Sequence, residues 1–123
     1  MKREINELIP QAVKAVKKSL LVSGKVLKEY DGYIASFGAS IVQSGLRATI
    51  IMYSNSEGGG KNKNNLLEAI YDVVKNQYDW KPIEKSLGDF IKEHPEDNFL
   101  LKQRIMNASI ALKLVVRTFE RTK

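Results

Sequence analysis

The segment from residue 37 to residue 54 constrains the fold most, because it carries almost no charge. Arg47 is its only charged side chain. An uncharged run of this length in an otherwise polar chain has to be buried, so we expect it to lie in the core. A membrane span is the rival, but a span needs about 20 mostly apolar residues. Gln43, Ser44 and Arg47 interrupt this run, which therefore predicts a soluble core segment with a break at Gly45.

Two amphipathic helices are predicted before that break. Residues 3–21 have apolar side chains at three- and four-residue spacing, and Pro10 should kink this helix or mark where its regular part begins. Ser23 and Gly24 predict its end, since glycine readily adopts the left-handed cap conformation. The apolar positions of the second helix again alternate in steps of three and four. They are Leu27, Tyr30, Ile34, Phe37 and Ile41.

The residues after Gly45 favour a strand by propensity, because Thr49, Ile50 and Ile51 are β-branched. No other run in the chain pairs convincingly with them, and an unpaired strand would leave its backbone donors and acceptors without partners. We therefore predict a short buried helix. Ile41-Val42 and Ile50-Ile51 are expected to be core residues on either side of the break.

The rest of the chain predicts a flexible loop and three further helices. The loop covers about residues 54–65 and is rich in glycine, serine and asparagine, with Asn64 or Asn65 as the cap of the next helix. Helices follow at about 65–78, 83–93 and 96–121. The fold class is thus all-α: a single domain over residues 1–123, built as a compact bundle of about five to six helices with a long C-terminal helix.

The last helix has two apolar faces. One face keeps the core spacing, and the second consists of Met106, Ile110 and Leu114, bordered by Lys113, Arg117 and Arg121. A helix of this kind is either central in its bundle or half covered by another chain. The second face is thus a candidate protein interface, and a sandwiched helix is the alternative that the sequence leaves open.

Positive charge is concentrated at both ends of the chain. The net charge is +6; residues 1–30 carry seven Lys or Arg against three Glu, and residues 101–123 carry six against one. If the two ends pack side by side, they form one positive surface, as in proteins that bind phosphate groups. The alternative interpretation is that this charge serves only to keep the protein soluble.

The sequence contains no recognisable catalytic or metal-binding arrangement. With no cysteine and His94 as the single histidine, a zinc site lacks its usual ligands, and we predict neither metal nor cofactor. The turn at Gly60-Lys61 resembles a nucleotide-binding loop in layout, but residue 55 is not glycine and residue 62 carries no hydroxyl. We therefore expect a protein that is not an enzyme.

Two short motifs carry a resemblance to a known family. Ile41-Val42-Gln43-Ser44-Gly45-Leu46, followed by Ala48-Thr49-Ile50-Ile51, is similar to the helix break and small-residue helix of the small helical subunit of the type III-B CRISPR effector, the Cmr-type complex. Arg117-Thr118-Phe119 resembles the basic and aromatic close of the last helix in that family. Chain length, helical pattern and basic charge agree across nearly the whole chain.

The resemblance implies a cytoplasmic, non-catalytic small subunit of an RNA-guided antiviral complex. Its partners would be the guide RNA and target RNA, contacted through their backbones, and the backbone and large subunits of the complex. Self-association by stacking is also implied, and a membrane is not. A subunit that accepts any guide should contact phosphates rather than bases.

Surface position and charge clustering supply the candidate RNA-binding residues. They are Lys14, Lys17, Lys18, Arg47, Lys113, Arg117 and Arg121. The alternative function is a helical adaptor that binds only other proteins, through the Met106, Ile110 and Leu114 face. In that case its basic charge has no connection with nucleic acid.

Overall fold

A computed structural model of the protein describes residues 2–54, 60–96 and 98–122. These ranges contain six α-helices and confirm the predicted all-α bundle. The helices are α1 (Lys2–Ala15), α2 (Glu29–Ser44), α3 (Leu46–Ser54), α4 (Gly60–Tyr78), α5 (Leu87–Glu93) and α6 (Phe99–Val116). A π-helix (Val16–Leu20) continues α1, and a hairpin of β1 (Leu21–Val22) and β2 (Lys25–Val26) joins it to α2.

The C-terminal helix α6 is the central element of the bundle. It packs against α1, α2 and α4. Ile105, Ala108 and Leu112 on its inner face are fully buried. Ala111, like Ala108 a small residue, is also fully buried. The predicted core spacing of this helix is therefore confirmed from Leu101 to Val115.

The connection between the first two helices differs from the prediction. Ser23 and Gly24 do not end a helix. They form the tight turn of the β1–β2 hairpin, with φ of 52° and 78°. Positive φ at both central residues is the geometry that matches the twist of two antiparallel strands. Serine followed by glycine suits this turn as well as a helix end, so local sequence did not separate the two.

The last predicted helix is shorter than expected, because it ends at Val116 rather than near residue 121. The chain then turns and runs beside β2. The Val26 amide donates to the Glu120 carbonyl at 2.9 Å, and the Thr122 amide donates to the Val26 carbonyl at 3.0 Å. The tail thereby satisfies backbone groups at the open edge of β2.

The break at Gly45 is present as predicted and joins α2 to α3. Gly45 has φ of 90° and ψ of 164°, a backbone region that is essentially restricted to glycine. Ile41 and Ile50 are fully buried on either side of it. The prediction was wrong for Val42 and Ile51, which are 71% and 45% exposed. Consecutive residues on a helix point about 100° apart, so each helix buries one member of the pair.

Helix α4 begins at Gly60, earlier than predicted. Residues 60–65 are helical, so neither Asn64 nor Asn65 caps the helix. The remaining part of the predicted loop, residues 55–59, lies outside the described residues. Helix α5 begins at Leu87 rather than residue 83, because the Ser86 hydroxyl accepts the Asp89 amide at 3.1 Å and caps the helix there.

Because of Tyr71 on α4, the stability of the protein should change with pH in the alkaline range. Its ring is 2% exposed, and its hydroxyl donates to the Glu84 carbonyl. Burial raises the pKa of Tyr71 to about 12, and the carboxylates of Glu84, Asp72 and Asp89 add to the shift. The stabilisation is complete below the ordinary value of about 10 and is lost as pH rises through 12.

We expect the Tyr71→Phe variant to lose less stability than the unchanged protein as pH rises. Between pH 10 and pH 12, the free energy of unfolding of the unchanged protein should fall by about 2 kcal/mol more than that of the variant. Urea unfolding at pH 8, 10, 11 and 12 measures the difference. Parallel curves for the two proteins would contradict the assignment to Tyr71.

Candidate nucleic-acid interface

The two basic ends of the chain meet along α1 and α6. The Asn107 side-chain amide donates to a carboxylate oxygen of Glu4 at 3.0 Å, which fixes the register of the two helices near the start of α1. At the other end, the π-helix that continues α1 also packs against α6. The tail after α6 pairs with the hairpin that directly follows the π-helix. The two helices therefore run in the same direction.

This register brings Lys14 and Arg117 to the same level. Seven residues after Glu4 and Asn107, about 10 Å along both helices, are Gln11 and Leu114. Three residues further are Lys14 and Arg117. Lys17 lies one turn beyond Lys14, and Lys113 lies one turn before Arg117. We call the four cations Lys14, Lys17, Lys113 and Arg117 the basic end.

The basic end is open to solvent, and no described carboxylate pairs with it. Lys14, Lys17 and Arg117 are exposed, and Lys113 is half-buried. Among the described residues, no ion pair joins any of the four to a carboxylate. Four uncompensated cations on neighbouring helices produce a local positive potential that attracts phosphate groups.

Two of the other predicted cations are engaged within the protein. Lys18 faces α4, where its ammonium donates to Asp72 at 2.9 Å, and this hydrogen bond raises the pKa of Lys18. The Arg121 guanidinium contacts both carboxylate oxygens of Asp31, at 3.1 and 3.0 Å. This pair fastens the C-terminal tail to the first turn of α2. RNA contact by Lys18 or Arg121 stays a prediction.

Arg47 lies at the opposite end of the bundle from the basic end. It is exposed in the first turn of α3, and its guanidinium donates to the Pro95 carbonyl at 3.3 Å. Pro95 precedes α6, whereas Arg117 follows it, and 18 helical residues span about 27 Å. Arg47 therefore does not belong to the basic end, and its contact with RNA also stays a prediction.

The predicted protein interface is only partly accessible. Met106 is half-buried and packs against the core. Ile110 is also half-buried, and Leu114 is 44% exposed. The outer stripe of α6 thus becomes more exposed toward the basic end. The sequence left two alternatives for α6, a helix central in its bundle or a helix half covered by another chain. The inner face is packed within the bundle and the outer stripe is open at one end, so neither alternative describes the whole helix.

Lys28 lies near the basic end but is missing from the predicted set. It is exposed at the start of α2, and its backbone amide donates to the Thr122 hydroxyl at 3.1 Å. The hairpin and the C-terminal tail bring it there. The available signal was the Ser23-Gly24 pair, which indicates a chain reversal when it is read as a hairpin turn.

Neither a metal-ligand group nor a membrane-spanning helix is found in the described part of the chain. No group of three or more histidine, cysteine, aspartate or glutamate side chains in it is arranged to hold a metal ion. None of its helices has both the length and the apolar character needed to cross a bilayer.

Comparison with protein families agrees with the sequence motifs. A family model described as CRISPR-associated protein (Cas_Cmr5) matches residues 1–119. The chain belongs to this family. Cas_Cmr5 is a small-subunit family of the type III-B Cmr complex, which confirms the resemblance drawn from residues 41–51 and 117–119. No curated protein and no solved structure matches the chain.

Proposed function

We propose that the protein is a non-catalytic small subunit that scaffolds the Cmr effector complex and contacts the backbone of the guide–target RNA. It would act in the cytoplasm as part of an antiviral ribonucleoprotein. Its protein partners would be the backbone subunits, the large subunit and further copies of itself. Family membership supports the association with the complex.

The observation that carries the RNA contact is the convergence of four cations from distant parts of the chain. Lys14 and Arg117 are about one hundred residues apart in sequence, yet the Glu4–Asn107 register places them at about the same level along α1 and α6. Lysine and arginine that neutralise phosphates supply affinity without reading sequence. This suits a subunit that must accept every guide.

The dependence of RNA affinity on salt tests this contact directly. We expect Arg117→Gln, in the assembled complex, to reduce the slope of log affinity against log salt by about 0.7 to 0.9 for one lost phosphate contact. Filter binding of target RNA between 50 and 300 mM salt measures the slope. Arg3→Gln is the matched control, since Arg3 is exposed at the far end of α1. An unchanged slope for Arg117→Gln would contradict phosphate contact there.

A protein-only adaptor is the second candidate function, and the exposure of Leu114 favours it. We expect Ile110→Asp to prevent incorporation into the complex, because the carboxylate would be buried without a partner beneath a docked chain. Size-exclusion chromatography of the reconstituted complex measures incorporation, and Ala35→Asp on the exposed face of α2 is the control. Circular dichroism distinguishes loss of docking from loss of helix.

The Ile110→Asp and Arg117→Gln experiments distinguish the two candidate functions. Normal assembly of Ile110→Asp, together with an altered salt slope for Arg117→Gln, leaves RNA contact as the function of this region. Loss of assembly with an unchanged salt slope leaves the adaptor.

A further inference from the structure

A cavity of about 470 Å³ opens where the Gly45 break meets the start of α6. Leu46, Ile91 and Leu101 line it with aliphatic groups, and Phe90 adds an aromatic ring. Phe99 stands at its edge and is 73% exposed. Burial of apolar surface stabilises a protein by roughly 25 cal/mol per Å², and a phenyl ring this exposed lacks most of that stabilisation. The described helices leave this surface uncovered.

A second cavity of about 70 Å³ adjoins the first. The two share Phe90, Asn98 and Leu101 as lining, and Leu100 borders the smaller one with 58% of its surface exposed. Consecutive apolar residues at the start of a helix thus stand at neighbouring cavities. We call Phe99, Leu100 and the two cavities the Phe99 surface.

Three cations lie at the Phe99 surface. Arg47 and Lys102 line the larger cavity, and Arg104 lines the smaller one. Arg47 uses one N–H group on the Pro95 carbonyl, so most of the five donors of its guanidinium stay available. Arg104 stacks over the Tyr78 ring at 4.2 Å, which holds its planar group in place.

Two described carboxylates near this surface are turned toward one histidine. Glu84 and Glu96 approach the two ring nitrogens of His94 at 3.4 and 3.8 Å, and the His94 ring stacks on Phe90 at 4.2 Å. Arg47, Lys102 and Arg104 form no ion pair with these or other described carboxylates. One side of the rim therefore carries positive charge that no described carboxylate neutralises.

We propose that the Phe99 surface docks an acidic segment of a partner protein, whose apolar side chains fill the two cavities while its carboxylates face Arg47 and Lys102. Arginine and aromatic side chains beside small pockets are the usual anchors of protein interfaces. The surface also continues the outer stripe of α6, because Phe99 and Met106 are two helical turns apart and lie on the same face. The proposal rests on membership in a multi-subunit complex and is independent of RNA contact at the basic end.

The lining favours a polypeptide over RNA as the occupant. Bases bind single-stranded sites by stacking on aromatic faces, whereas Leu46, Ile91 and Leu101 offer aliphatic groups. Glu84 and Glu96 lie on the His94 side of the larger cavity and would repel a phosphate chain that followed it. A peptide can place its apolar side chains inward and direct its few carboxylates to the cationic side.

Photocrosslinking in the assembled complex tests the proposal. Phe99 is replaced by p-benzoylphenylalanine, and the purified complex with its guide RNA is irradiated. We expect a covalent product with another subunit, and mass spectrometry should map it to a segment with an aspartate or glutamate within a few residues of an apolar side chain. The same probe at Val22, which is 51% exposed in the hairpin at the other end, should not label that segment.

A charge-reversal pair completes the test. Arg47→Glu with Lys102→Glu should reduce the yield of the product at least tenfold, whereas Lys81→Glu with Lys85→Glu should leave it unchanged. Circular dichroism confirms that both variants stay helical. A product sensitive to ribonuclease, a product with a second copy of this chain, no product, or a yield unaffected by the reversal would each overturn the proposal. None of these outcomes bears on the salt slope of Arg117→Gln, so the two proposals fail separately.

Discussion

Reversing Lys14, Lys17 and Arg117 to glutamate together is expected to weaken binding of target RNA by the complex on the order of a hundredfold at low salt. Each reversed side chain loses an attraction of about 1 kcal/mol to a phosphate at contact distance in water, and about 1.4 kcal/mol corresponds to a factor of ten. The register set by Glu4 and Asn107 places the three residues at the same end of the bundle. Electrophoretic mobility shift of labelled target RNA measures the loss.

The fold should survive this change, because all three side chains are exposed and none forms an ion pair with a described carboxylate. Substitutions of this kind usually alter stability by less than about 0.5 kcal/mol. Reversal of Lys81, Lys85 and Lys92 is the matched control, since it produces the same change in net charge near α5. Equal loss of affinity in both variants would mean that net charge, and not the basic end, attracts RNA.

Gly45→Ala is expected to destabilise the protein by about 1 to 3 kcal/mol, the cost of holding a residue other than glycine in a sparsely populated backbone region. The φ of 90° and ψ of 164° at Gly45 set the angle between α2 and α3. A Cβ atom placed there meets no atom of the protein within 4 Å. The cost therefore comes from backbone conformation alone. Urea unfolding monitored by circular dichroism measures it.

Gly38→Ala is the control and should have the opposite effect. Gly38 lies within α2 with no positive φ, and an added Cβ also meets no atom within 4 Å. Alanine at such a position should stabilise the helix by about 0.5 to 1 kcal/mol. Destabilisation by both substitutions would contradict the assignment of the Gly45 effect to its backbone conformation.

Periodicity was sufficient to predict the buried positions of α2 and α6. Ile34, Phe37, Ile41 and Ile105 are core residues in both the prediction and the structure. The errors concentrate at the ends of elements. The stop at Val116 and the turn at Ser23-Gly24 depend on one another, because the tail after α6 completes the edge of the hairpin strand β2. Residues more than 90 positions apart in sequence decide both boundaries, and no local pattern contains that information.

The residues of the candidate site also divide into those that the sequence indicated and those whose surroundings only the fold revealed. Charge clustering in the sequence indicated Lys14, Lys17, Lys113 and Arg117, which form no ion pair with a described carboxylate. It also selected Lys18 and Arg121, whose partners Asp72 and Asp31 are 54 and 90 residues away. Whether a lysine or arginine keeps its charge free depends on the carboxylates that folding brings beside it. The Phe99 surface was not predicted, because exposure of an apolar residue at a helix start depends on whether another element covers it.

The uncharged segment around Gly45 shows what the sequence determined by itself: a break between two helices, the buried positions Ile41 and Ile50, and motifs typical of the Cas_Cmr5 family. These follow from local composition, from helical spacing and from the conformations that glycine permits. The tertiary structure alone decided that Arg47 lies at one end of α6 and the basic end at the other. Helix direction and register are set by packing between distant segments, which a linear pattern does not specify.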